Sequence, residues 1–328
     1  MKKLEIYGTL GPSCQDEETL YQMFLSGMTG IRLNLSHVDL DDVQSWIDHF
    51  HKAAKRAGVQ PNLLIDMQGP ELRIGKVNLD LKKDTVINFS KIPVAKHVLD
   101  VLTKGQIILL DDGKIQLEII DSNLNCKVIR EGILTSHKSI ALPGIEMNLP
   151  TLTSKDIQNI CVAKEYGVTG LMQPFVRNKE DLICVKDALH QAGCDDIKIY
   201  AKIENQSGVN QLESLIPYCD QIIIARGDLG NSVTLPKLPS VQKYIEKICK
   251  ERNMPYMVVT EMLYSMQQRA VPTRAEVSDI YHAVYHGATS IMLTGETAAG
   301  QYPVDAMRMF VECANVALED LENKEAVL

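Results

Sequence analysis

The feature that most constrains the fold is a regular succession of eight short apolar runs, each followed by glycine, asparagine or aspartate. Most of these runs are separated by segments of helical periodicity, and the residues that follow them favour turns. Strands that alternate with helices form parallel sheets, and eight such units predict a closed (β/α)8 barrel, the TIM barrel of the α/β class. The predicted strands are residues 4–10, 30–36, 63–67, 168–175, 197–204, 221–226, 256–260 and 290–294.

Two intervening segments show clear helix signals. The segment "QDEETLYQMFLSG" begins with acidic residues and stops at Gly27. The segment "VDLDDVQSWIDHFHKAAKRAG" places Leu40, Val43, Ile47 and Phe50 on one face and stops at Gly58. Both predict amphipathic helices that cover the barrel.

Residues 76–140 interrupt the alternation of strands and helices, because they lack helical periodicity and contain several strand-like runs. Asp112–Gly113 lies between two apolar runs, which is a strong hairpin signal. We therefore expect a small all-β domain, a β-barrel cap, inserted after the third barrel strand. Residues 1–75 and 141–328 would then form the catalytic barrel.

Composition excludes several classes of protein. The chain is 45% hydrophobic, yet no apolar run reaches the roughly 18–20 residues that a membrane span requires. The N-terminus enters a strand pattern directly, so we expect no signal peptide, no membrane and a cytoplasmic protein. The eight cysteines include no C-x-x-C pair, which argues for free thiols. A net charge of −8 does not indicate the basic surface with which proteins bind nucleic acid.

Polar side chains collect at the ends of the predicted strands. In "IKIYAKIENQSG", isoleucines and alanine alternate with polar residues, so Lys202 and Glu204 point the same way. In "GIRLNLSH", Arg32, Asn34 and Ser36 share one face. Such groups need a ligand or an ion inside a barrel, since unpaired buried polar groups are costly. An exposed strand edge is the alternative, but a closed barrel has none.

Two acids, Glu204 and Asp228, follow neighbouring strands, and glycines beside Asp228 allow close access. Mg²⁺ takes one or two carboxylates together with substrate oxygens and water. Asp228 could equally be a helix cap, and Lys202 a structural ion-pair partner of Glu204. With Arg32, Arg73 and the hydroxyl of Thr260, this set suits phosphoryl transfer, which depends on positioning and charge neutralisation.

The chain closely resembles the pyruvate kinase family in these motifs and in others. The matching motifs include "GTLGPS", "GIRLNLSH", "IDMQGPELRIG", "LPGIEMNLPTLTSKD", "KIENQSGV", "IIIARGDLG" and "IMLTGETAAGQYP", and they span nearly all of the barrel. The resemblance implies a barrel with an inserted β cap. It also implies transfer of phosphate from phosphoenolpyruvate to ADP, giving pyruvate and ATP, with Mg²⁺ (or Mn²⁺) and K⁺.

The resemblance implies a role for each matching residue. Catalysis would use Lys202, Arg32, Arg73 and Thr260. Mg²⁺ would be bound by Glu204 and Asp228, and K⁺ by Asn34, Ser36, Asp66 and the Met67 carbonyl. Substrate would contact Ala225, Arg226, Gly227, Asp228 and Thr260, and nucleotide phosphates would contact His37, Arg73 and Lys138.

Several positions depart from the family pattern. The family's C-terminal regulatory domain is not expected in this chain, and Glu261, Ala299, His137 and Ser232 replace more common residues. These changes leave two alternatives open. One is a metal-dependent pyruvate-enolate enzyme, a lyase or decarboxylase. The other is a phosphoenolpyruvate-binding relative without catalysis or with another acceptor. The segment "VPTRAEVSD" resembles the family's barrel–barrel contact and allows a homodimer.

Overall fold

The computed structural model of the chain describes residues 4–145 and 147–327, with side chains as far as Asn323. The predicted barrel limits at residues 1 and 328 lie outside this range. The strands, in chain order, are β1 (Glu5–Thr9), β2 (Gly30–Asn34), β3 (Asn62–Asp66), β4 (Asn78–Leu81), β5 (Val86–Asn88), β6 (Ile107–Leu110), β7 (Ile115–Ile119), β8 (Asn125–Arg130), β9 (Gly132–Thr135), β10 (Ile140–Ala141), β11 (Gly170–Gln173), β12 (Lys198–Ile203), β13 (Gln221–Ala225), β14 (Tyr256–Val259) and β15 (Ser290–Met292).

Eight of these strands close into the predicted barrel. The parallel order is β1-β2-β3-β11-β12-β13-β14-β15, and β15 pairs again with β1. Each predicted strand corresponds to one barrel strand; seven of the observed strands are shorter than predicted, and β3 has the predicted length but begins and ends one residue earlier. The (β/α)8 prediction is confirmed.

The α-helices are α1 (Glu17–Leu25), α2 (Gln44–Ala57), α3 (Lys96–Asp100), α4 (Ser154–Val162), α5 (Lys179–Gln191), α6 (Gln206–Asn210), α7 (Leu212–Leu215), α8 (Arg226–Val233), α9 (Leu238–Glu251), α10 (Arg274–Tyr285), α11 (Gly295–Ala298) and α12 (Pro303–Val327). The prediction of α1 is confirmed, whereas in the second segment Leu40–Val43 form a 3₁₀ helix and α2 begins only at Gln44. Gly58 ends α2 in the left-handed conformation, with φ 68°, which glycine adopts without a steric penalty. None of the described helices combines the length and apolar character needed to cross a bilayer.

Alternation along β12 explains how the barrel is filled. Ile199, Ala201 and Ile203 pack outward in the layer between strands and helices. Tyr200, on the opposite face, joins a small apolar cluster inside the barrel with Tyr7 and Met257. Lys202 shares the face of Tyr200 and lies nearer the carboxyl end, so it projects into the mouth.

Residues 76–140, here called the cap region, are built mainly from strands. β10, β6, β7, β8 and β5 form one antiparallel sheet, and β4 pairs with β9. The cap region has its own buried core, which includes Phe89, Ile108 and Leu117. The expected hairpin forms between β6 and β7, and Asp112 and Gly113 adopt positive φ in its turn.

An all-β reading of the cap region is wrong in one respect. Helix α3 spans five residues, and a 3₁₀ turn covers Phe89–Lys91. Helix α3 is too short to display a 3.6-residue repeat, and it is secured by the burial of Val98 rather than by propensity. The last cap strand also ends at Ala141, one residue past the predicted limit.

Candidate active site

A cleft of about 1310 Å³ opens at the carboxyl ends of the barrel strands, where such barrels form their active sites. Tertiary structure brings most of the predicted site residues to this cleft from five different strands. Those that line it are Arg32, Asn34, Asp66, Lys202, Glu204, Ala225, Arg226, Gly227, Asp228 and Thr260.

Lys202 lies at the centre of a buried charge cluster. Its Nζ is 2.9 Å from Glu204 Oε1 and 3.1 Å from Asp66 Oδ2. Arg32 donates to the same Asp66 oxygen from Nη2 at 2.6 Å and from Nε at 3.0 Å. Burial alone would lower the pKa of Lys202, but the carboxylates of Asp66 and Glu204 outweigh it and raise that pKa. Lys202 is therefore a permanent cation in a site largely shielded from water.

Glu204 and Asp228 both line the cleft. Glu204 is buried and accepts a hydrogen bond from the Phe175 amide at 2.7 Å, through a backbone with φ 53° at Phe175. Asp228 lies in the first turn of α8, and among the described residues no hydrogen bond or ion pair reaches its carboxylate. Burial, followed by repulsion from Glu204, raises the pKa of Asp228 to about 7. An unpaired acid beside a buried acid fits a shared divalent cation.

Within the described residues, no group of three or more His, Cys, Asp or Glu side chains forms a complete metal cage. A cation bound by Glu204 and Asp228 would therefore take further ligands from substrate and water, which is how Mg²⁺ is commonly held.

The residues expected to bind K⁺ adjoin the lysine cluster. Asn34 Oδ1 accepts from the Ser36 amide at 3.2 Å, and Met67 follows Asp66 directly. Asn34, Ser36, Asp66 and the Met67 carbonyl can each supply an oxygen atom, the donor that hard cations take. Asp66 is already shared by Arg32 and Lys202, so the structure shows it first as the carboxylate that fixes both cations, a role that the sequence did not indicate.

Arg73 lies where the chain leaves the barrel for the cap region. Its Nη2 is 2.7 Å from Glu71 Oε2, and Nη1 donates to the His137 carbonyl at 2.9 Å. Burial raises the pKa of Glu71 even though Arg73 opposes that shift. The pKa of His37 is lowered mainly by burial of its ring and secondly by the positive charges of Arg73 and Arg32. His37 therefore lies close enough to both guanidinium groups for their charges to disfavour its protonated form.

Lys138, the cap residue expected on nucleotide phosphates, is paired elsewhere. Its Nζ lies 2.8 Å from Asp111 Oδ1, and the side chain is not among those that line the cleft. Among the departures from the family pattern, Glu261 lines the cleft, whereas Ala299 is exposed and lies outside it. Ser232 accepts a hydrogen bond from the Gln206 amide at 3.2 Å.

Residues 225–227 connect β13 to α8 and expose backbone at the cleft. The first amides of a helix have no intrahelical acceptor, so the start of α8 offers donors to an anion. A side chain at Gly227 would be crowded, since a Cβ there would lie 3.2 Å from Thr260 Cγ2. Glycine therefore allows Thr260 to sit directly against this backbone.

Asp156 holds the turn that follows Asp66, a role that the sequence did not indicate. Its fully buried carboxylate accepts from the amides of Gln68 and Gly69 at 2.9 and 3.1 Å, and from the amide and hydroxyl of Thr153. It thereby fixes the turn that follows Asp66. The pattern Thr-Ser-Lys-Asp is a capping-box signal that could have indicated a helix start, but not the contact with a loop more than 80 residues away.

Fold and site together define a (β/α)8-barrel protein whose mouth holds a buried lysine, guanidinium groups and a pair of carboxylates. A family model described as "Pyruvate kinase, barrel domain" matches residues 1–307. Proteins named pyruvate kinase from Bacillus licheniformis and Geobacillus stearothermophilus are each 35% identical over 99% of this chain. One from Kluyveromyces lactis is 34% identical over 97% of the chain and is covered over 68% of its own length. The chain belongs to the pyruvate kinase family, and it spans 59% and 58% of the length of the two bacterial relatives.

Proposed function

We propose that the chain transfers the phosphoryl group of phosphoenolpyruvate to ADP, yielding pyruvate and ATP, with Mg²⁺ (or Mn²⁺) and K⁺. The observation that carries the proposal is the buried Lys202 ammonium group, which contacts Asp66 and Glu204 in the cleft that Asp228 also lines. Phosphoryl transfer needs a fixed cation for the moving charge and a metal beside it. The cleft brings this fixed cation together with the two carboxylates that would hold the metal.

Each charged group has a distinct part in this proposal. Glu204 and Asp228 would hold Mg²⁺, which neutralises phosphate oxygens and the developing enolate. Lys202 and Arg32 donate to the phosphoryl group in transit, and Arg73 extends this positive region toward the nucleotide with His37. Asn34, Ser36, Asp66 and the Met67 carbonyl would hold K⁺.

The substrate carboxylate would bind to the backbone of residues 225–227 at the start of α8. Thr260 lies against Gly227, so its hydroxyl would be near the methylene carbon that receives a proton as pyruvate forms. Lys138 would have to leave Asp111 in order to contact nucleotide phosphates.

The cap region closes one side of the cleft, and we assign it the role of a lid. Its Gly113 turn lies on α8, where a Cβ at 113 would be 2.6 Å from Asn231 Oδ1. A lid excludes water from the reacting groups. Deleting residues 76–140 should therefore reduce turnover more than it reduces the stability of the barrel.

A homodimer through the barrel fits the exposed apolar surface near α10. Val271, the first residue of the segment "VPTRAEVSD", exposes 68% of its surface just before α10. Light scattering at increasing protein concentration tests this assignment, since a mass that remains that of a single chain would contradict it.

The deciding experiment is an assay of the purified chain with phosphoenolpyruvate, ADP, Mg²⁺ and K⁺. Pyruvate formation that depends on ADP and on both cations supports the proposal. The pairing of Lys138 with Asp111 favours a second candidate, an enolate-forming decarboxylase that uses no nucleotide. Metal-dependent loss of oxaloacetate without ADP, and without turnover of phosphoenolpyruvate, would favour that candidate. Binding of phosphoenolpyruvate without either reaction would indicate a non-catalytic relative.

A further inference from the structure

We propose that the Asp279–Arg226 ion pair is a positioning device that fixes the Thr260 turn against the start of α8. This inference rests on the proposed function for its catalytic consequence, but the geometry itself is independent of any substrate. Neither charged side chain has to touch substrate in this role.

The turn after β14 has an unfavourable backbone conformation. Thr260 adopts φ 80° and Glu261 adopts φ 56°. A β-branched residue rarely occupies this region, and such a strained conformation persists only where surrounding contacts enforce it. Thr260 therefore holds its position only because other groups of the protein fix the turn.

The Arg226 guanidinium group provides those contacts. Nη2 donates to the Thr260 carbonyl at 2.7 Å, and Nε donates to the Val259 carbonyl at 3.3 Å. The side chain leaves only 13% of its surface exposed. Arginine suits this task because its planar fork presents several donors in fixed directions.

Asp279 on α10 fixes the guanidinium group in turn. Its Oδ1 accepts from Nη1 at 2.8 Å, and its Oδ2 lies 2.7 Å from Nη2. This two-point contact sets the plane of the fork. At the other end of the turn, buried Glu296 accepts from the Leu263 amide at 3.1 Å. The turn is thus held at both ends, and only the Arg226 end borders the substrate-facing backbone of residues 225–227.

This arrangement links two parts of the site through one side chain. The Arg226 backbone begins α8 beside Gly227 and Asp228, while its side chain holds the carbonyl of Thr260. Loss of Asp279 should let the fork rotate and release Thr260 from Gly227, without removing any group proposed to bind phosphate or metal.

The test compares Asp279→Ala with Asp305→Ala. Asp305 is a matched control because its pair with Arg308 is about half exposed and lies on α12. We expect Asp279→Ala to lower kcat about 10- to 100-fold, which is the scale of misplacement by about an ångström. The KM for phosphoenolpyruvate should stay within about threefold, since the missing interaction acts after binding. Asp305→Ala should match the parent chain in both constants.

Hydrogen–deuterium exchange of residues 259–263 provides a readout that needs no activity. Asp279→Ala should exchange faster there than Asp305→Ala, with the rest of the barrel unchanged. Arg226→Lys should show the same two effects, because an ammonium group cannot hold two carbonyls and a carboxylate in the geometry of the fork.

Three results would overturn the positioning role: unchanged exchange in Asp279→Ala, faster exchange with parental kcat, or parental kcat in Arg226→Lys. Absence of turnover in the parent chain would instead refute the proposed function, and the exchange comparison would still decide whether the ion pair holds the turn.

Discussion

Replacement of Lys202 by methionine tests the centre of the site, because methionine keeps much of the side-chain volume and removes the charge. Lys202 contacts Asp66 and Glu204 at 3.1 and 2.9 Å, and its side chain is 13% exposed. Asp66 would retain Arg32, whereas within the described part of the chain Glu204 would retain the Phe175 amide alone and would repel Asp228 without an intervening cation.

The burial and pairing of Lys202 set the expected effects of this substitution on stability and on turnover. Removing one partner of a buried ion pair destabilises a protein by about 3–5 kcal/mol. Mg²⁺ bound by Glu204 and Asp228 should restore about 2.7 kcal/mol at a hundredfold excess over its dissociation constant. The loss in turnover should reach at least about 10²–10³-fold, equivalent to about 2.7–4 kcal/mol of transition-state stabilisation.

The assay combines urea unfolding, with and without Mg²⁺, and turnover of phosphoenolpyruvate with ADP. The control is Lys155→Met, because Lys155 pairs with Asp39 at 2.9 Å but is 54% exposed. An exposed pair contributes about 1 kcal/mol or less, so this control should retain turnover. If Lys202→Met unfolded like Lys155→Met and turned over at the parental rate, the buried charge cluster would have neither the structural nor the catalytic role given to it.

Three further predictions address other parts of the structure. Glu204→Gln should raise the Mg²⁺ concentration for half-maximal turnover about tenfold or more, and an unchanged metal titration would contradict the ligand assignment. Asp181→Asn should destabilise the chain by about 2–3 kcal/mol at neutral pH. Burial opposes ionisation of Asp181, but hydrogen bonds from Arg177 and Thr151 outweigh it and lower the pKa of this carboxyl. The ionised Asp181 therefore stabilises the folded chain fully above the unfolded pKa of about 3.9, and this stabilisation is lost as the pH falls further. The difference in urea unfolding between parent and variant should therefore be constant from about pH 7 to 5 and shrink below about pH 4; a difference that grew in acid would refute this reasoning. Asp156→Asn should cost about 2–3 kcal/mol, because an amide cannot accept from every donor that now faces the carboxylate, and a melting temperature equal to that of the parent would exclude the proposed anchor.

Local sequence was enough to predict the barrel and the direction of many side chains. The alternation in 197–204 placed Lys202 toward the mouth, and β2 likewise directs Arg32 and Asn34 into the cleft. Gly58 correctly marked the end of α2. These predictions hold because side-chain direction within one element depends only on its own backbone period.

Short elements and distant pairs could not be predicted in this way. Helix α3 is too short for its periodicity to show. No local signal indicates the pairing of Lys138 with Asp111. The Arg226 side chain was not assigned, although it joins α8, the Thr260 turn and α10. Each case depends on a neighbour that is far away in sequence or on packing that gives no local signal.

The sequence by itself determined the order of strands and helices, the strand ends at which polar groups collect, and the family resemblance. Only the tertiary structure decided which charges meet, since Asp66 reaches Lys202 across 136 residues of chain and Arg226 reaches Asp279 across 53. The physical reason is that periodicity is a property of one segment, whereas an ion pair forms only after barrel closure has fixed two segments within a few ångströms of each other.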